Sequence, residues 1–316
     1  MAGKKSRHTV EVAETPKKVY DFGIAWNWEF DRDLVNQLNE GCLKKGLKPY
    51  LIHPNNLYEA LELIKNDKLG FRCFFDRATD TDHRFYELIE LLQDEDTEFI
   101  NHPDRIKWVN DKALIHMDFI INKMPVPETF IYYPTDDRRT VLAKIKQVGI
   151  PFVIKPAHGV EIGGLGVLVS AKSIDDLYNW HNRYRNFVFL LQRQVHPCLL
   201  GKRAAYFRIY HILGKIIPVW WDPLTHVYEA VTDEEISRYK LKTLLTLTEK
   251  IARLYKLCFF STEIAIEKGR HYFIVDYVND QCDMRRKSKY RDGVCDEVVD
   301  KIVETLLNGV SHKCKK

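Results

Sequence analysis

Apolar positions recur along this chain with two periods, and the alternation between them lays out its elements. From Val19 to Ile100 short apolar runs alternate with amphipathic stretches. Tyr20–Trp26 reads as a strand, and Asp31–Lys45 as a helix with Leu34, Leu38 and Leu43 on one face and Gly46 closing it. Leu47–Ile52 and Phe71–Phe75 read as further strands, Tyr58–Asn66 and Phe85–Leu92 as further helices. This spacing predicts a small parallel α/β lobe, whose ligands sit at the carboxyl ends of its strands. Trp26-Asn27-Trp28-Glu29 and Asp76-Arg77-Ala78-Thr79-Asp80 stand at two such ends, where residues that merely cap helices would serve equally.

Beyond Asn101 the pattern changes. A helix from Asp104 leads through Asn110-Asp111-Lys112 into an apolar segment, Ala113–Ile121, and Pro125 and Pro127 then force an extended segment. Next come a helix over Asp136–Val148, an apolar run from Phe152, a helix over Asp175–Asn186 and a strand over Phe187–Val195. Tyr206–Ile212 and Lys215–Trp220 form a hairpin turning on Leu213-Gly214. A long amphipathic helix over Ser237–Leu257, closing strands Phe259–Glu267 and His271–Val278, and a final helix over Cys295–Leu307 complete the chain, with no internal repeat.

Composition narrows the classes. At 316 residues the chain can hold two or three lobes rather than one. Its 45% hydrophobic and 29% charged residues describe a soluble globular protein, and no apolar run reaches the length of a membrane span, so no membrane partner is expected. Residues 1–18 lack the apolar core of a signal peptide and read as a flexible tail. Seven cysteines, scattered and never spaced as CxxC, argue against a disulfide framework or structural zinc and for a reducing cytoplasm. A net charge of +4 is too small to argue for a nucleic-acid partner.

The stretch FVIKPAHGVEIGGLGVLV, Phe152 to Val169, carries the first chemistry. An apolar strand ends in Lys155-Pro156, a loop follows with Gly159, Gly163, Gly164 and Gly166, and a second strand resumes at Val167. Loop glycines let backbone N–H groups approach an anion with no Cβ in the way, so the pattern fits a flap over a polyphosphate with Lys155 as a fixed cation beneath it. A Walker loop is excluded because the lysine precedes the glycines, and a Rossmann turn because no helix follows. An ordinary glycine-containing hairpin is the alternative for the loop taken alone.

With its neighbours in order, the chain resembles the ATP-grasp proteins. NDKALIHMDFIINKMPVPETF, PFVIKPAHGVEIGGLGV, FLLQRQV, YFRIYHILGKI and STEIAIEKGRHYFIVDYVND carry the resemblance, which spans Asn101 to Leu307. It is similar to the ribosomal-protein glutamate ligases and D-alanine:D-alanine ligase, and more distantly to the inositol polyphosphate kinases. The implied fold class is α/β and α+β: two α+β subdomains gripping ATP over residues 101–308, the glycine flap within about 134–190. A small parallel α/β lobe over 19–100 precedes them and a tail over 309–316 follows.

The resemblance also implies roles. Lys112 and Lys155 would neutralise phosphate oxygens, with His158, Gly159, Gly163 and Gly164 in the flap above them. Gln192-Arg193-Gln194-Val195 would be the hinge reading the adenine edge, although relatives commonly carry a carboxylate there. Glu263, Asp276 and Asn279 would hold magnesium, or manganese in its place. Asp276-Tyr277-Val278-Asn279 is one residue longer than the family's E-x-N, so either a bulge restores the geometry or Asp280 takes a share. Arg208, with Lys155, would stabilise the transferring phosphoryl group, since an arginine offers two parallel hydrogen bonds. Arg77, Arg285 and Arg286 are candidates to meet an anionic substrate, a solvated charge run being the alternative for the last two. Cys282 could act as a nucleophile only if those arginines lowered its pKa.

The function so implied is an ATP-dependent carboxylate–amine or carboxylate–thiol ligase. It would work through an acylphosphate, release ADP and phosphate, and contribute positioning rather than a protein nucleophile. A small-molecule kinase on the same fold and a non-catalytic nucleotide-binding protein are the alternatives. The partners implied are ATP, a carboxylate-bearing small molecule or peptide, a nucleophile, and a second copy in a homodimer.

Overall fold

The computed structural model describes residues 16–158, 167–184 and 186–314, so Gly159, Gly163 and Gly164 of the expected flap lie outside the described residues. The chain opens with β1 (Lys18–Trp26), α1 (Arg32–Lys44), β2 (Pro49–Ile52), α2 (Leu57–Lys65), β3 (Leu69–Arg77), α3 (Tyr86–Gln93) and β4 (Glu98–Ile100). The strands form one parallel sheet in the order β2-β1-β3-β4, the α/β lobe that the alternation predicts. Both faces of this sheet are covered, as parallel strands require. Leu57, Leu61, Leu88 and Leu92 of α2 and α3 fill one side.

Two segments connect onward, α4 (Pro103–Val109) and α5 (Lys112–Ile121). The apolar run at Ala113 is therefore helical, and Asp111 caps it by accepting from the backbone N–H of Ala113 at 2.8 Å and Leu114 at 3.1 Å. Next come β5 (Thr129–Tyr132), α6 (Arg138–Val148), β6 (Phe152–Pro156), β7 (Leu168–Ala171), α7 (Ile174–Arg183) and β8 (Phe189–Arg193). They make an antiparallel sheet in the order β5-β8-β6-β7. Val141, Ile145 and Leu177 of α6 and α7 pack on it against Phe152, Ile154 and Leu191.

The rest of the chain is built on a second antiparallel sheet. A short hairpin, β9 (Leu199–Leu200) and β10 (Arg203–Ala204), leads to β11 (Tyr206–Ile212), β12 (Lys215–Asp222) and β13 (Val227–Ala230). Then follow α8 (Asp233–Arg238), α9 (Lys242–Tyr255), β14 (Phe259–Glu267), β15 (His271–Asn279) and α10 (Asp296–Lys313). The sheet order is β13-β12-β11-β14-β15. Side chains alternate between its faces. Phe207, Ile209, Ile264 and Ile274 join α5 and α9 in one core, while Tyr210, Ile212 and Phe259 join the first lobe and α10 in another.

Three expectations are corrected. The helix expected over Ser237–Leu257 is two, because Lys240 turns left-handed at φ 53°. The carbonyls of Tyr239 and Lys240 accept from Arg270 at 2.5 and 3.0 Å, and a capping box of Thr232 and Glu235 fixes the first helix. The final helix runs to Lys313, and Val310 is fully buried, so the tail expected from 309 is mostly helix. At the other end β1 begins at Lys18, and Lys17 pairs with Asp67 at 2.7 Å, which shortens the expected tail.

α10 closes the second face of the parallel sheet against α1. The crossing is tight: a Cβ on Gly41 would stand 2.2 Å from Leu307 Cδ1, so only glycine fits there without repacking. All seven cysteines are free, and no helix among the described residues is long and apolar enough to cross a membrane.

Candidate functional site

Three adjacent strands place the central charges. On β11, β14 and β15 the register sets Arg208 opposite Glu263 and Glu263 opposite Asp276, so a cation and two carboxylates form one row across the sheet. Phe207 and Ile209 are committed to the α9 side, which turns Arg208 to the other face. Its guanidinium pairs with Glu263 and lies over Trp221 at 4.7 Å and Tyr228 at 5.8 Å. Tyr206 donates its hydroxyl to the second Glu263 oxygen at 2.9 Å. Burial opposes the charge on Arg208, but Glu263 beside it holds the guanidinium firmly protonated.

Two lysines come to this row from other elements. Lys112, the first residue of α5, places Nζ 2.8 Å from Asp276 Oδ1. Lys155, near the end of β6 and only 7% exposed, donates to the carbonyl of Val275 at 2.7 Å. The elements that carry them are tied together, since the Lys112 backbone N–H donates to the Ala157 carbonyl at 2.7 Å and His158 Nε2 stands 3.6 Å from Asp111. Burial lowers the Lys155 pKa, with Lys112 acting in the same direction and Asp276 against it. Burial would raise Asp276, but Lys112 and then Lys155 outweigh it and hold that carboxyl well below the usual range.

The extra residue in Asp276-Tyr277-Val278-Asn279 is accommodated by a bulge. Ser261 stands opposite Asn279 while Glu263 stands opposite Asp276, so β15 carries one more residue than β14 over this span. Asn279 thereby comes with Asp276, Lys112 and His158 to one cavity of about 380 Å³, which Glu263 does not line. No group of three His, Cys, Asp or Glu among the described residues could hold a metal by itself. Two carboxylates and an amide are a fitting partial set for magnesium, which takes its remaining ligands from phosphates and water. Of the three hydrogen bonds that the Lys155 ammonium can give, one is made among the described residues, to the Val275 carbonyl, which leaves two for an anion.

The hinge segment differs from its expected form. Gln192 is fully buried on β8, its Nε2 3.3 Å from the Tyr277 hydroxyl, while its Oε1 has no partner among the described residues. Tyr277 is also bonded to His116 Nδ1 at 2.7 Å, and burial drives His116 down to about 4, keeping it neutral. Arg193 pairs with Glu267 at 3.0 Å and lies 4.8 Å over Phe273. Gln194 and Val195 follow β8, and the His196 N–H donates to Glu267 at 2.7 Å. A carboxylate does stand at this segment, but it is Glu267 of β14. Sequence reasoning missed it because the signal was sought within the hinge itself.

The remaining arginines are engaged elsewhere. Arg77, expected at the substrate, is 2% exposed and donates through Nε and Nη2 to Asp31 at 2.9 and 2.7 Å, and to the Cys282 carbonyl at 3.1 Å. It is a strut between the first lobe and the loop after β15. Arg285 is held by Asp283 at 2.8 Å and Asp292 at 2.9 Å, and Arg286 by Asp300 and, at 3.6 Å, Asp296. The basic loop is therefore largely neutralised by its own acids. The Cys282 thiol is fully buried and burial pushes it up to about 11, against Arg77 and Arg208, so no thiolate forms. Trp26 lies tilted against His53 with ring centroids 4.6 Å apart, and Trp28 meets Phe30 edge to face at 5.1 Å.

No protein-family model matches the sequence, and no curated protein matches it. Solved structures do. A RimK-domain ATP-grasp protein from Sphaerobacter thermophilus is 20% identical, with 91% of this chain and 98% of that one covered and a TM-score of 0.63. The ATP-grasp ligase PsnB, solved with a minimal precursor, Mg and ADP, is 15% identical, with 94% and 99% covered and a TM-score of 0.63. D-alanine–D-alanine ligase from Bacillus anthracis, complexed with ATP, is 12% identical, with 93% and 98% covered and a TM-score of 0.64. The chain has the ATP-grasp fold over nearly its whole length.

Proposed function

We propose that this protein is an ATP-dependent ligase that activates a carboxylate as an acylphosphate and passes it to an amine or thiol, releasing ADP and phosphate. The observation that carries the proposal is the Arg208–Glu263–Asp276 row faced by Lys112 and Lys155. Such a set neutralises and orients phosphate oxygens, which is most of what phosphoryl transfer asks of a protein. Lys112 and Lys155 bind the phosphates, and Arg208 exchanges its contact with Glu263 for the anion. Gln192 to Val195 border the nucleobase, where the unpartnered Gln192 Oε1 is an acceptor suited to an exocyclic amine. Glu263, Asp276 and Asn279 hold magnesium, which when bound draws charge from the phosphate oxygens. The free cysteines suit a reducing cytoplasm.

Thermal unfolding is followed with ATP, with and without magnesium, for the wild type and Lys155→Ala. ATP at a hundred times its dissociation constant stabilises by about 2.7 kcal/mol, a shift of a few degrees. A magnesium-dependent shift lost in the variant is the expected result. No shift in the wild type overturns the nucleotide reading. Phosphate released on adding a carboxylate and an amine supports the ligase, whereas phosphate retained on the acceptor would make it a kinase.

A further inference from the structure

The cavity beside Lys112, Asp276 and Asn279 runs away from the row into the first lobe. Ile89 of α3, Phe99 of β4 and Ile106 and Val109 of α4 supply an apolar wall. Asp76, Asp80 and Asp280, at the ends of β3 and β15, supply carboxylates. Asp76 is already engaged, accepting from the N–H groups of Ala78 and Thr79 at 2.9 and 3.2 Å and from the Thr79 hydroxyl. The other two keep acceptor capacity: Asp280 accepts from Gln281 Nε2 at 3.3 Å and from its own backbone N–H, and Asp80 accepts no bond among the described residues. Arg77, the neighbouring cation, directs Nε and Nη2 to Asp31 and the Cys282 carbonyl instead. Burial above all raises the Asp80 carboxyl to about 6, with Arg77 opposing and Asp76, Asp280 and Asp31 adding to the rise. Five carboxylates line this space, Asp76, Asp80, Glu90, Asp276 and Asp280, against two lysines, and of these Lys112 is paired with Asp276 and Lys107 stands 3.7 Å from Asp104.

An apolar wall with a few convergent polar groups is the usual make-up of a small-molecule site. An ammonium has three donors and no acceptor, which matches two carboxylates with free lone pairs and mismatches a carboxylate or phosphate ligand. We propose that this cavity binds the nucleophile of the ligase reaction as a primary amine on an apolar body, its nitrogen at Asp80 and Asp280 and its body against Ile89, Phe99, Ile106 and Val109. The site's place in the reaction rests on the ligase reading, but amine binding does not require nucleotide. Because Asp280 follows Asn279 directly, the amine is delivered to the phosphate end of the cleft, where its ammonium gives a proton to a carboxylate of the site before the nitrogen forms the C–N bond and the acylphosphate C–O bond breaks to release phosphate.

The test is calorimetric titration of the full chain with phenethylamine, 2-phenylethanol and 3-phenylpropanoate, probes of similar shape and different charge. The amine is expected to bind at least about tenfold more tightly than the other two, and to lose at least about tenfold in Asp80→Asn, the scale of one charge-assisted hydrogen bond. Equal affinities for the three probes in the wild type overturn the proposal without any variant, as does unchanged amine binding in a folded Asp80→Asn. Amine preference without any ATP-dependent shift leaves the site standing and removes the ligase reading. An ATP-dependent shift without amine preference does the reverse.

Discussion

Two sets of carboxylates line the same cavity and have opposite proton affinities. Asp276 meets Lys112 at 2.8 Å and Lys155 close by, and its pKa falls; Asp80, near Asp76 and Asp280, rises to about 6. Burial raises both, so it does not decide the sign. The decision lies with the cations: Lys112 pairs with Asp276 and Lys155 adds its charge, whereas Arg77 gives Nε and Nη2 to Asp31 and the Cys282 carbonyl, keeps Nη1 without a partner among the described residues, and opposes the rise of Asp80 without cancelling it. A strand-end aspartate is therefore held ionised in one place, and is a store of unmet negative charge in the other.

The strongest way to break this contrast is to remove the cation from the second set. Arg77→Met leaves Asp31 buried without its partner, and the expected loss is about 3–5 kcal/mol in urea unfolding. An unchanged midpoint would mean that the pair is not a strut. Neutralising the first set is next: Asp276→Asn should lower nucleotide-dependent phosphate release by about a hundredfold or more, read in steady-state turnover. Turnover within a factor of two of wild type would place the metal elsewhere.

Stability against pH sharpens the contrast further. Asp80 binds its proton more tightly folded than unfolded, so its ionisation costs stability as pH rises from near 4 through about 6, and the cost is constant above that. Asp80→Asn should thus gain about 2 kcal/mol at pH 7.5 and almost nothing at pH 4, in parallel urea titrations. Asp276 works in the other direction, since its lowered pKa contributes stability above its unfolded value that is lost as pH falls below about 4. A gain of equal size at both pH values would refute the assignment to Asp80. The smallest effect expected is at the hinge, where Glu267→Gln weakens a partly exposed pair with Arg193 and should cost at most about 1 kcal/mol. Its sharper readout is nucleotide affinity.

Much of the fold was legible because it rests on local signals. Period-2 and period-3.6 patterns place most strands and helices, and the residue count in Asp276–Asn279 against E-x-N anticipated the bulge. Lys112 and Lys155 each sit next to a recognisable break, Asn110-Asp111 or Pro156, and both side chains reach β15, at Asp276 and at the Val275 carbonyl. What escaped reading depends on distant residues. Arg77 looked like a site arginine because Asp31 is 46 positions away, and Arg286 looked free because its acids lie on the following helix. The break at Lys240 depends on Arg270 from another turn to receive the exposed carbonyls. The amine cavity assembles side chains from α3, β4, α4 and the ends of β3 and β15, and no window of sequence contains it.

The seat of α10 against α1 bears on how the chain is made. Phe22, Ile24, Leu34 and Leu38 share a core with Val298, Ile302, Leu306 and Val310, residues translated after all the strands described above. The first lobe is made with one face of its sheet covered by α2 and α3, and the other face waits until both antiparallel sheets and then α10 have been made. During that interval its apolar surface is exposed to chaperones and to neighbouring nascent chains. A premature stop before Asp296 would leave that surface bare for good, so a shortened product should be cleared by proteolysis rather than accumulate as a folded fragment.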